Sequence, residues 1–169
     1  MKNSKKMKGY FFLALAIIFS ASLLTWATVR IVKAVKLQHN CAAYASRAIG
    51  AANIETAKTE LSRVIDYAER ENLTEGVVSV FFRNPKNDIG YWYGTLKATY
   101  QALEDFPVDA GQLAETNFLM RMHESLEEVG IPDGISIYPN NAFYFWWSIV
   151  SLAGTIVFWK LFIEEDYWW

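Results

Sequence analysis

Two uncharged apolar runs bracket this chain and limit its architecture more than anything else in it. The first, residues 9–29, reads GYFFLALAIIFSASLLTWATV. The second, residues 142–159, reads AFYFWWSIVSLAGTIVFW and continues past Lys160 to Ile163. A helix rises about 1.5 Å per residue, so about twenty apolar residues match the core of a bilayer. The expected fold class is therefore mainly α, with two transmembrane helices flanking a small helical-bundle domain. The expected order is a basic cytoplasmic N-terminus (1–8), a first span (9–32), an extracytoplasmic helical domain (33–141), a second span (142–163) and a short cytoplasmic tail (164–169).

Charge is distributed to match. Residues 1–36 carry seven Lys or Arg and no acid, whereas residues 37–141 carry eight basic against fifteen acidic side chains, a net of −7. An acidic domain without a basic stripe argues against nucleic acid as a partner. The first run is longer than the apolar core of a signal peptide and ends at Thr28, Val29 and Arg30 without a small-x-small cleavage site. It reads as an uncleaved signal anchor, with a cleaved signal as the alternative. Four lysines before it favour a cytoplasmic N-terminus. Arg30, Lys33, Lys36 and Arg47 come after it on the other side, but a long segment translocates whatever its charge. The expected location is a bacterial inner or plasma membrane, with the central domain outside. Cys41 is the single cysteine, so no intrachain disulfide forms.

Within the domain the periodicity is helical. An alanine-rich stretch carries helix out of the first run as far as Gly50, and Asn53 is the expected cap of the next helix. Ile54, Ala57, Leu61, Val64 and Ala68 recur as one apolar stripe. Asn87 or Asp88 then caps a helix whose buried face is Ile89, Trp92 with Tyr93, Leu96, Thr99 with Tyr100, Leu103 and Phe106, and which Pro107 ends. Asp109 and Gln112 resemble a capping box for a last helix that buries Leu113, Leu119, Met122, Leu126 and Val129 and stops at Gly130. Residues 77–82 and 135–138 are β-branched and bounded by Gly or Pro, so they read as a short two-stranded β-ribbon; irregular connectors are the alternative.

The chemistry-bearing residues are few. His39 with Cys41, and His123 with Glu127, offer two ligands each where a zinc site needs three or four, so no metal or cofactor is expected. No phosphate loop, nucleophile elbow or His-Glu-x-x-His motif occurs, and an enzyme is not expected. The most site-like stretch joins Arg83 and Lys86 to Tyr91, Trp92 and Tyr93 as a ligand or partner contact. The alternative places Trp92 and Tyr93 in the core. Tyr144, Trp146, Trp147, Trp168 and Trp169 read as membrane-interface belts, where an apolar ring with one N–H or O–H suits the headgroup layer.

The layout of span, helical bundle and span is similar to that of bacterial sensory receptors. The similarity is one of architecture, and no residue is carried over from it. Such receptors have a cytoplasmic output domain, for which the six residues after Ile163 leave no room. The expected function is thus a non-enzymatic accessory or assembly protein of the membrane, acting through the lipid bilayer, another membrane protein or a homo-oligomer. A ligand-binding sensory module and a small lysis or antilysis protein are the alternatives.

Overall fold

Helix accounts for 78% of the chain, and the computed structural model describes residues 2–166. In chain order the α-helices are α1 (Lys2–Leu37), α2 (Ala43–Ile49), α3 (Ile54–Arg70), α4 (Ile89–Glu104), α5 (Gln112–Val129) and α6 (Asn141–Asp166). Trp168 and Trp169, expected in an interfacial belt, lie outside the described residues. The chain forms two compact units, one of Met1–Val32 with Ala142–Trp169 and one of Lys33–Asn141.

In the first unit the two apolar helices run antiparallel. Trp159 Nε1 donates to Ser20 Oγ at 3.1 Å, Trp147 Nε1 to Ser22 Oγ at 2.9 Å, and Trp26 Nε1 to the Tyr144 carbonyl at 2.9 Å. As the residue number rises along α1 its partner's falls along α6. Small residues let the backbones approach closely. Ala16 and Ser151 are buried, and a Cβ at Gly154 would come within 2.3 Å of the Phe19 ring, so only glycine fits there. Larger apolar side chains such as Ile17, Leu24, Ile156 and Val157 point outward. Two helices, Met7–Ile49 and Asn141–Glu164, are long and apolar enough to cross a membrane. The core helix of a soluble protein is mostly buried, whereas only 6% of the apolar window in each of these is.

The second unit is a ring of helices in which α2 packs on α3, α3 on α4, α4 on α5 and α5 back on α2. Its start is irregular. Between α1 and α2 the turn Gln38–Ala42 is a π-helix, which inserts one extra residue and so rotates the face of α2 by about 100°. Cys41 and Ala48 are then both fully buried. The α3 stripe packs as its spacing implies, with Ala57, Leu61, Val64 and Ala68 inaccessible to solvent. Asn53 caps α3 by accepting from the Thr56 amide at 2.8 Å, and Asp88 caps α4 by accepting from Tyr91 at 3.0 Å. Asn84 caps a short 3-10 turn, Pro85–Asn87, just before it.

Three expectations give way. Among the described residues there is no β-ribbon. Val78 donates its amide to Asn87, and Val77 makes an isolated bridge to Asp88. Ile135–Ile137 coils into a 3-10 turn, where Ile135 donates to Pro132, Ile137 to Gly134 and Tyr138 to Ile135. Donors satisfied locally in this way leave little for a ladder. The Asp109–Gln112 capping box is also absent: Gly111 occupies the cap of α5 with no side-chain hydrogen bond. Glu115, one turn in, instead accepts from the Ile54 amide at 3.1 Å and ties the start of α5 to the start of α3. Leu113, counted among the buried positions of α5, is 75% exposed because it lies in the first turn beyond the packed part of the ring.

Candidate functional site

Successive residues of a helix point about 100° apart, so Tyr91, Trp92 and Tyr93 cannot share one surface. The structure sends them three ways. Trp92 is 3% exposed and turned into the core, Tyr91 is 54% exposed, and Tyr93 lies on the α3–α4 flank. Arg83 and Lys86 stand exposed on the loop before α4. The stretch that reads as one contact therefore supplies separate surfaces.

Trp92 borders a cavity of about 310 Å³. Its walls are Ala45 and Ile49 of α2, Leu61 of α3, Leu96 of α4, and Leu126 and Val129 of α5. Ala45 of α2 and Ala42 of the π-turn, small beside the indole, leave the volume unfilled. Ser46, Thr95 and Glu127 supply the polar rim. At that rim His123 Nε2 lies 3.3 Å from Glu127 Oε2, and its Nδ1 lies 3.4 Å from the Ile49 carbonyl, to which it donates when it carries the proton. Open to solvent on one side and lined mainly by apolar side chains, it has room for a small apolar molecule.

On the α3–α4 flank, Tyr93 Oη donates to Glu69 Oε1 and the Lys97 ammonium lies 2.9 Å from the same oxygen. The Tyr93 hydroxyl, followed by Lys97, holds the Glu69 carboxyl below its ordinary range. The same bonds raise Tyr93 and Lys97, in each case chiefly through Glu69. All three groups are open to water, so the cluster fastens one helix to the next without a reactive centre. Cys41 is the opposite case. Burial pushes its thiol up to about 12, leaving it neutral and inert.

A further surface escapes a residue-by-residue reading. Gly90, Gly94, Ala98 and Ala102 fall four apart along α4 and floor an open furrow of about 680 Å³ against α5, bordered by Tyr91, Phe118 and Arg121. The spacing of small residues was the available signal. In a soluble stretch it is easily passed over in favour of the aromatics beside it.

Of the interfacial aromatics, Trp146 is 56% exposed, whereas Tyr144 is buried and Trp147 directs its N–H to Ser22. Trp146 thus faces outward as a belt residue would, and Trp147 serves helix pairing. Among the described residues no three His, Cys, Asp or Glu side chains group as a metal site. No family model, curated protein or solved structure matches the chain.

Proposed function

We propose that this protein is an integral membrane accessory or assembly subunit, non-enzymatic, whose helical bundle docks a helix of a partner. The observation that carries this reading is the furrow along α4 and α5. Glycine and alanine at four-residue steps form a smooth floor that lets another backbone approach, as small residues do between membrane helices. The furrow is open along its length, and Tyr91 and Phe118 at its edges are the aromatic anchors that such contacts use. Two helices of membrane-spanning length and outward apolar residues suit a chain held in a bilayer.

The reading includes a bacterial inner or plasma membrane, with the bundle outside the cytoplasm. The apolar part of Met7–Ile49 that belongs to the first unit, up to Val32, would lie in lipid, and the residues from Lys33 on belong to the bundle.

The test is site-specific crosslinking in native membranes, with Ala98→Cys in a Cys41→Ala background. A crosslink to a second copy or to another membrane protein supports the reading and separates the homo-oligomer from the heteromer. Labelling of the new thiol by a maleimide, with no crosslinked species at any reagent length, overturns it.

The cavity beside Trp92 favours a second reading, a regulatory module that senses a small apolar molecule. A melting temperature of the detergent-solubilised full chain that rises with naphthalene or indole, and no longer rises in Ala45→Leu, would support it. Equal shifts in both chains would remove it.

A further inference from the structure

The longest irregular connection in the bundle joins α3 to α4, and it is built as a held shape. At its base Val78 donates to the Asn87 carbonyl at 2.9 Å and Ile89 donates to the Gly76 carbonyl at 2.9 Å. Val78 is buried. Ser79 Oγ accepts from the Phe82 amide at 3.1 Å, and the Asn84-capped turn comes next. This ordered loop presents apolar rings to solvent: Phe81 is 62% exposed and Phe82 78%. Arg83 and Lys86 stand exposed directly after them. They are two cations with no acid between them, on a unit (residues 33–141) that carries ten basic and fifteen acidic side chains, a net of −5.

The position of the loop within the bundle is also defined. The chain enters this unit at Lys33 and leaves it at Asn141. Lys36, three residues in, pairs with Glu71 at the end of α3 at 3.0 Å. Tyr138, three residues before the exit, lies against Gly76, whose φ of 106° and lack of a side chain make room for the phenol. The loop is therefore rooted beside the residues at which the chain enters and leaves this unit.

We infer that the loop carrying Phe82, Arg83 and Lys86 is a membrane-contact element that inserts its apolar tip into the interfacial layer and pairs its cations with anionic lipid headgroups. An exposed aromatic is stabilised by leaving water for that layer, and adjacent Lys or Arg side chains are attracted to an anionic surface. The inference rests on the bilayer anchoring proposed above and adds a third point of attachment.

The test uses the full chain in nanodiscs of phosphatidylcholine alone or of an equimolar mixture with phosphatidylglycerol. A Val80→Cys, Cys41→Ala variant carries an environment-sensitive fluorophore beside the intact Phe81 and Phe82. Met120→Cys, on an exposed part of α5, reports the bulk-water signal. The expected result is blue-shifted emission at position 80, quenched by spin-labelled lipid several-fold more strongly in the anionic discs. Quenching should fall to the level of the neutral discs when Arg83→Glu and Lys86→Glu are added. Quenching unaffected by that charge reversal overturns the headgroup assignment. A blue shift without lipid quenching marks a protein contact and overturns the proposal, as does water-like emission in both discs. Alkaline carbonate extraction of the same chain keeps the two readings apart: a chain that stays with the membrane but emits as in water loses the loop contact and keeps its anchors.

Discussion

Ser22 of α1 and Ser151 of α6 meet with their Oγ atoms 2.9 Å apart, and Trp147 donates to the same Ser22 oxygen. Each hydroxyl thereby finds a polar partner among apolar side chains. Interhelical hydrogen bonds in membranes average about 0.6 kcal/mol, so Ser151→Ala alone should weaken the pair only slightly. Gly154→Leu should do far more, because the added side chain falls on the Phe19 ring. In a Ser22→Cys, Ser151→Cys, Cys41→Ala chain, oxidation should form an intramolecular disulfide. Adding Gly154→Leu should reduce its yield several-fold, read on a non-reducing gel.

Trp92→Ala should destabilise the bundle by about 3–5 kcal/mol, the cost of enlarging an existing void around a buried aromatic. Ala45→Leu should be neutral or mildly stabilising, since its added atoms enter space that is already empty. Comparing melting temperatures of the two variants in one detergent checks both signs.

Removing a single cap isolates a local effect. Asn53→Ala leaves the Thr56 amide without its acceptor and should cost about 0.5–2 kcal/mol. Glu115→Ala frees the neighbouring Ile54 amide and should also lower stability, although Glu115 belongs to a different helix. The shift in denaturation midpoint for each is the measurement.

The pH dependence of the α3–α4 tie has a definite sign. Tyr93 and Lys97 hold the folded Glu69 carboxyl below its ordinary value of 4.5. A depressed acid stabilises the fold above the unfolded pKa and loses that contribution as pH falls through the folded one. The melting-temperature difference between the native chain and Glu69→Gln should therefore be present at neutral pH and shrink in the acid range below that value. A difference that grows on acidification would reverse the assignment.

Cys41 should resist alkylation in the folded chain. Its thiol is inaccessible and its pKa is pushed up to about 12, so neither reagent nor thiolate is present at mildly alkaline pH. Mass spectrometry should find iodoacetamide adducts only after unfolding.

Much of this was legible in the sequence for reasons that are local. A run without charge is apolar wherever it folds, so the two span-length helices could be read directly. Asn53 and Asp88 cap because a short polar acceptor meets amides within the next three residues, and the α3 stripe is a property of 3.6-residue periodicity. The decisions that depended on distant neighbours were not legible. Whether residues 77–82 paired with 135–138 hung on where their amides were already spent. Glu115 could be recognised as the acceptor for Ile54 only once the ring of helices brought the start of α5 to the start of α3. The aromatic triplet was visible as a feature, but its division among cavity, furrow and ion pair was set by the helices packed around α4. The cavity itself is a mismatch of shapes, Ala42 and Ala45 against the indole of Trp92. Residue identity determined which groups this protein could use, and tertiary packing decided which of them face one another, because a helix settles only its own surface and not what covers it.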